Sequence, residues 1–556
     1  MSVRPSIQAS DVVFMYAPEP AQYDIYSGTV TAWGGRARSL QSRDVEAFRA
    51  RVNEAKKRKM RYCASVDFLV DFGGFIDFRP DNFMEAVCRD LDGNPLRVPW
   101  LHDHSHKGHP AYWFCTNNPD YRAYLMDQVK RACVAPIDGL HIDDYRGTFA
   151  CASWNGGCFC EHCMKGFRDY LRRTGGMSFP NTEAAERFDY REYLRRFGVT
   201  AQKFRANPRE APLGEQFLNF QREQMMELIR QVFEQAERTR GKLLLRSVNS
   251  SASSAEAVIV EPLVDYFCGE VDHHASSGTL SQEPIFVYRV VEAFGKRQTA
   301  TATGWDWAWI AANNKPGMVQ AWIAQAYAFG SAFMVPHNQW CYTPEKGTHW
   351  WKGKPEDFAF LYRFVREHHY LLDDYYPLTN TVLDFDESEF EEAKRIAIEM
   401  IVANVPFAVK YRERLIEHVA KSVSRDSIPV PAYWNMRDDS RRWRGIADLS
   451  ERSAKQVRVE SEGVFVVSPR RRLTRGRYPV VCHLLNRDYD RERDAINPAD
   501  VSVGILRDLL PAGFNPREAD LFAPGQKARR VPVKRLGEHI VFEVKGAGLW
   551  MIAALI

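Results

Sequence analysis

The chain of 556 residues has no dominant charge: 75 Lys and Arg against 71 Asp and Glu leave a formal +4, which gives no electrostatic footprint for nucleic acid. It has no run of ~18 apolar residues, so no membrane span is expected. Its opening stretch, MSVRPSIQASDVVFMYAPEP, lacks the apolar core of a secretory signal. Its 11 cysteines are an odd number and cannot all pair. A reducing, cytoplasmic location is therefore the expectation, with thiols that are buried or metal-bound. Internal repeats and low-complexity tracts are absent. A composition of 45% hydrophobic and 26% charged residues also excludes disorder and a small disulfide scaffold. The basic run Arg470, Arg471, Arg472, Arg475, Arg477 reads as a solvated face.

What is present is an alternation. From Val12 to about residue 370, short apolar or β-branched runs alternate with amphipathic stretches, the pattern of parallel strands with crossover helices. Candidate strands are Val12–Tyr16, Tyr62–Asp67, a weakly marked one near Ala111–Cys115, Ile137–Asp143, Leu243–Val248, Asp265–Glu270, Gln298–Thr303 and Ala332–Pro336. These segments predict an α/β fold, a (β/α)8 TIM barrel. An open doubly wound sheet would carry a Gly-rich phosphate turn after its first strand, and MYAPEPAQYD is not one. The expected domains are a barrel over 1–375 with a helical insertion at about 151–240, a small α/β domain over 376–460, and a C-terminal β-sandwich over 461–556.

In a barrel of this kind the chemistry lies at the C-terminal ends of the strands. There the sequence places Asp143 and Asp144 after the fourth strand, and Glu270 and Asp272 after the sixth. Two carboxyl groups facing each other are what glycoside cleavage needs: one to protonate the leaving oxygen, one to attack the anomeric carbon or activate water. Asp143, Asp144 and Glu270 are the catalytic candidates. Sugars pack on aromatic rings and hydrogen-bond to polar groups. The binding candidates at the strand ends are Asp67, His102, His104, Trp113, His273, Trp305, Asp306, Trp307, His337, Asn338 and Trp340. Read as an extended segment, WDWAW puts Trp305, Trp307 and Trp309 on one face. WLHDHSHKGHPAYW, with His102, His104, His106 and His109, offers a metal-dependent hydrolase as an alternative, and a non-catalytic sugar-binding barrel is another.

The sharpest local signal is Cys151-ASWNGG-Cys158-F-Cys160-EH-Cys163. C-x-C-x-x-C beside a further cysteine is ligand spacing for tetrahedral zinc, and Cys115, just before the helix leading to the fourth strand, is the expected fourth ligand. A closed site of four thiolates is structural. No organic cofactor is expected.

The order YWFCTNNPDYRAY, GLHIDDYRG and CFCEHCMKGFRDYL resembles the β-galactosidases of glycoside hydrolase family 42. The resemblance implies a zinc site at Cys115, Cys158, Cys160 and Cys163, an F-R-x-W/Y-L helix at Phe167, Arg168, Tyr170 and Leu171, and a homo-oligomer, dimer or trimer. That family ends its fourth strand in Asn-Glu and takes its nucleophile from a Glu on the seventh, where this chain has Asp143, Asp144 and Asp306. The carboxylates are more similar to those of barrel glycosidases like the dextranases. On that pattern Asp143 is the nucleophile and Glu270 the acid/base, with Asp144 orienting a sugar hydroxyl or acting as the alternative acid. The reading is a glycoside hydrolase whose partner is a carbohydrate, with no nucleic acid and no membrane.

Overall fold

The computed structural model describes residues 4–179, 181–415, 434–435 and 454–556. Eight parallel strands follow one another: β1 (Val13–Phe14), β2 (Val30–Gly34), β3 (Arg61–Asp67), β4 (Gly139–Asp143), β5 (Leu245–Val248), β6 (Phe267–Val271), β7 (Gln298–Ala302) and β8 (Ala332–Phe333). The first five form one sheet and the last three another. Single parallel bridges connect them at both seams, Asn249 with Cys268 and Phe14 with Val335. Every residue of β2 and β7 is buried. Both are covered on both faces, as strands of parallel sheets are, although β7 carries the polar Gln298, Thr299 and Thr301.

Two strand assignments change. The stretch Ala111–Cys115 is not among the parallel strands. It lies in the excursion after β3 and meets other loop residues through single antiparallel bridges, Arg97 with Tyr112 and Val87 with Phe114. Ala111, Trp113, Phe114 and Cys115 are buried without joining a sheet: Trp113 lines a cleft, Phe114 packs on Phe75 and Tyr121, and Cys115 belongs to the cysteine cluster. The second strand is instead Val30–Gly34, directly after a short helix, Pro20–Tyr26. A glycine ends it because a Cβ on Gly34 would meet the Tyr62 ring at 2.4 Å.

The helices follow their sequence signals. Helix α1 (Ser42–Lys57) buries Phe48, Val52 and Ala55, one stripe at helical spacing. In α2 (Pro119–Cys133) the Asn118 side chain accepts from the amides of Asp120 and Tyr121, proline takes the first turn, and Lys130 and Arg131 lie in the last. The long segment between β4 and β5 is helical, with α3 (Gly147–Asn155), α4 (Glu161–Thr174) and α5 (Gly214–Arg240) as its main members. No helix among the described residues is long and apolar enough to cross a membrane.

Beyond the parallel strands, three short parallel strands, Val382–Phe385, Ala408–Tyr411 and Trp434–Asn435, form a small sheet. Helix Phe390–Val402 belongs to the same stretch. Much of the expected 376–460 domain, residues 416–433 and 436–453, lies outside the described residues. The C-terminal part has a six-stranded and a four-stranded sheet. Val480, Cys482 and Leu484 of the first share a core with Val503, Phe542 and Val544 of the second, the facing-sheet arrangement expected for this part.

The arginine run is not a solvated face throughout. Arg470 is buried, bonded to the Glu292 carboxylate and to the Tyr375 carbonyl, the latter at 2.8 Å. Glu292 also accepts from Arg289 at 2.7 Å. Burial pushes the Glu292 carboxyl up, but Arg470 and Arg289 outweigh it and hold it below the usual carboxylate range. Its stabilising contribution is thus present at neutral pH and lost as pH falls through that lowered value. Both Arg289 and Glu292 sit on the helix Glu283–Ala293 after β6, so this triad ties the C-terminal sheets to the parallel strands. Glu292→Ala strands two buried guanidinium groups and should cost about 3–5 kcal/mol, measured by thermal or urea unfolding, whereas Arg475→Ala on the exposed part of the run should change stability by less than about 0.5 kcal/mol.

Candidate active site

Parallel register builds the centre of the site. The β3–β4 pairing sets Asp67 beside Asp143, and the β4–β5 pairing sets Ile142 beside Val248, so Asn249 comes next to Asp143. Adjacent strands lie about 4.8 Å apart, which brings these three side chains into one row at the strand ends. The Asn249 amide donates to Asp143 Oδ1 at 2.9 Å, and the backbone N–H of Asp144 donates to the same oxygen at 2.9 Å. Asp144 takes a left-handed backbone, φ 44°, a conformation that costs a non-glycine residue about 1–3 kcal/mol and gathers at functional sites.

Asp143, Asp144 and Glu270 line one cleft of about 700 Å³. Burial raises all three carboxyls, to different extents. In Asp143 it is opposed by the bonds from Asn249 and the Asp144 amide. Glu270 is pushed up to about 7, by burial first and then by the charge of Asp143, against one backbone N–H from Gly304. Asp144 is raised well above the carboxylate range by burial and then by Asp143, Asp67 and Glu270. Asp67, in a neighbouring cavity of about 350 Å³ shared with Asp143, is raised by burial and by Asp143. The negative charge therefore rests best on Asp143, and Glu270 keeps its proton to near neutrality. Among the described residues none of Asp143, Asp144 and Glu270 is ion-paired.

Tyr16, two residues beyond β1, lines both cavities. Burial raises its hydroxyl, followed by the charges of Asp143, Glu270, Asp67 and Asp144, which puts it among the carboxyl groups. Sequence reasoning missed it, although it stands at the same rim as the others. It missed Asn249 too.

Aromatic rings form the cleft walls. On one side Trp100 meets Trp113 edge-on at 5.3 Å and Trp154 at 6.2 Å. On the other Trp340 stacks on Tyr342 at 5.9 Å, and Trp305 meets Tyr342 edge-on at 5.5 Å. Trp154, Trp305 and Trp350 are all at least half exposed, an unusual state for so large an apolar ring and one suited to the C–H faces of a sugar.

Of the sequence candidates, His104, Trp113, Trp305 and Trp340 line this cleft together with the three carboxyls. Trp307, Asp306, His273 and His337 do not. WDWAW opens a helix (Gly304–Asn313), not an extended segment; two residues turn a helix by about 200°, so Trp307 points away from Trp305 into the core, stacked on Trp351 at 5.3 Å. Asp306 accepts from the amides of His273 and Ala275 at 2.9 and 2.8 Å and pins the loop after β6. His273 and His337 are buried, each with Nδ1 against a backbone carbonyl, and burial pushes both imidazoles down to about 4. Asn338, half-buried beside His337, is not part of the cleft lining.

The histidine cluster does not converge. His104 pairs with Asp103, His106 with Asp77, His109 packs on Phe83, and His102 lies edge-on to Tyr342. The alternative of a histidine-bound catalytic metal loses its ligand set. Among the described residues one group has converging ligand atoms: Cys115, Cys158, Cys160 and Cys163, buried, with their Sγ atoms within 4.8 Å of one another. Cys115 Sγ lies 3.5 Å from that of Cys163 and 3.6 Å from that of Cys160. Four thiolates about 2.3 Å from a tetrahedral zinc are about 3.8 Å apart, so the set fits that ion. The Asn117 amide and the Cys160 N–H donate to the sulfurs of Cys163 and Cys158, as second partners of metal thiolates do.

Solved structures share the fold. Over essentially the whole chain the fold matches two carbohydrate-cleaving enzymes: α-L-fucosidase isoenzyme 2 from Paenibacillus thiaminolyticus (TM-score 0.59, 10% identity, 99% of this chain and 100% of that one) and the GH42 β-galactosidase Gan42B from G. stearothermophilus (TM-score 0.51, 10% identity, all of both chains). Among curated sequences, an α-agarase of Thalassotalea agarivorans is 26% identical over 371 residues, 64% of this chain and 24% of that protein. The chain thus spans about a quarter of the curated relative's length. No family model matches.

The Asn249–Asp143 bond yields a direct check. Asn249→Ala removes one charge-assisted hydrogen bond, worth about 1.5–3 kcal/mol, and Asp143 should then titrate at higher pH; carboxyl ¹³C NMR of the wild type and the variant measures the shift.

Proposed function

We propose that the chain is a glycoside hydrolase working through Asp143 and Glu270. The observation that carries this reading is the unequal pair: two carboxyls in one aromatic-walled cleft, one supplied with hydrogen-bond donors and the other raised to about 7. The parallel strands, bridged at both seams, support reading residues 1–375 as a (β/α)8 barrel, with the small α/β and β-sandwich domains following over 376–460 and 461–556.

In this mechanism Asp143 attacks the anomeric carbon, forming a C–O bond as the glycosidic C–O bond breaks, and Glu270 gives its proton to the leaving oxygen. Glu270, now ionised, takes a proton from water as that water attacks the same carbon and releases Asp143. Asp144, held by its strained backbone beside Asp143, orients a sugar hydroxyl. The α-agarase relative makes agarose the first substrate to test. The four thiols hold one structural zinc on this reading: it would tie the excursion after β3, through Cys115, to the start of α4, and with four protein ligands it leaves no open position for substrate.

Three outcomes are expected. Asp143→Asn and Glu270→Gln should each lower kcat on agarose or an aryl glycoside by about 10²-fold or more, and full activity in both variants would sink the mechanism. Activity should fall as pH rises through about 7, because the acid is then without its proton; a Glu270→Gln enzyme assayed on an activated aryl glycoside should lack that limb. Elemental analysis should find one zinc per chain, lost in Cys160→Ser, while a Cys341→Ser control keeps it.

A further inference from the structure

The catalytic cleft does not end at Trp305. A second cavity of about 610 Å³ lies on the far side of that ring and shares Thr303 and Trp305 with the cleft. Its other walls include Trp309, Asp272, Thr343 and His349. Trp305 and Trp309 are four residues apart on one helix, so they share a face about 6 Å apart along the axis, comparable to the length of one pyranose ring. Trp305 is 56% exposed. Trp309 is held from behind by the Arg491 guanidinium, 5.6 Å from its ring centroid.

The platform is rigid. The Thr303 side chain caps the helix at the Asp306 amide, and the Asp306 carboxylate holds the loop that carries Asp272. The polar groups suit neutral sugar hydroxyls. Asp272, Glu345 and Lys346 all line the cavity, and the His274 imidazole is committed to Glu283 at 2.9 Å. No excess of positive charge is present to favour a sulfated or uronate chain.

We propose that this second cavity is a remote binding subsite for a neutral polysaccharide, reached over Trp305, so that the cleft reads several consecutive sugar residues on this side of the scissile bond. The inference rests on the glycosidase reading and adds the direction in which the substrate runs. It makes Trp309 a binding residue that takes no part in the chemistry.

The test compares agarose oligosaccharides of increasing length with an aryl monoglycoside, in the wild type, Trp309→Ala and Trp309→Phe. The ratio of kcat/KM for the longest to the shortest substrate should fall about tenfold in Trp309→Ala, the scale of one lost aromatic contact, and be largely recovered in Trp309→Phe. An unchanged ratio, or a wild type indifferent to length, overturns the subsite and leaves the glycosidase reading standing. If the wild type turns over none of these substrates, the glycosidase reading fails instead. The subsite is then judged by calorimetric titration of the longest oligosaccharide into Glu270→Gln and Glu270→Gln/Trp309→Ala, where equal affinity, or no binding to either, overturns it.

Discussion

Four carboxyl groups share one strand-end rim, and they cannot all be ionised there. This constraint organises the site. Asp143 receives two donors, from the Asn249 amide and the Asp144 backbone, and so carries the charge. Burial, and after it that charge, holds protons on its neighbours, Glu270 among them. The proposed nucleophile and the proposed acid differ less by residue type than by who donates hydrogen bonds to whom. The row of Asp67, Asp143 and Asn249 exists because three parallel strands are in register, so the proton distribution is a consequence of strand pairing.

The contacts that join the rest of the chain to these strands lie away from the rim. Four buried thiols lie where the excursion after β3 meets the start of α4, near Trp100, Trp113 and Trp154, which form one wall of the cleft. The opposite wall depends on the helix after β7 and the strand pair Gln339–Thr343 with Gly347–Trp351. The C-terminal sheets reach the same core through the buried Arg289, Glu292 and Arg470 triad. Arg487 adds a second tie, donating to Gln325 at 2.5 Å and to the carbonyl of Ser281 at 2.9 Å. In the triad the charges are buried but paired, an arrangement in which losing one partner costs far more than the pair itself contributes, whereas Arg487 bonds to neutral groups.

Features whose physics is local could be read directly from the residues. The Asp143–Asp144 doublet after an apolar run and the C-x-C-x-x-C spacing need no knowledge of distant residues, and most of the parallel strands show as apolar runs between amphipathic helices. The misreadings arose where local pattern was ambiguous. Ala111–Cys115 is apolar for the same reason as a strand, burial, but in a loop. WDWAW is too short and too aromatic for period 2 to be told from period 3.6, so Trp307 was placed with Trp305 when the helix turns it into the core.

The sequence by itself determined which chemical groups were available: rim carboxylates, four spaced thiols, a surplus of tryptophan near strand ends. Tertiary structure alone decided their states and roles. Asn249 is 106 residues from the Asp143 it supports, and Glu292 is 178 residues from the Arg470 it buries. Tyr16 is an ordinary tyrosine until β1 sets it among carboxyls contributed by β3, β4 and β6. Charge, proton affinity and exposure belong to the environment of a group, and that environment is assembled from segments far apart in the chain.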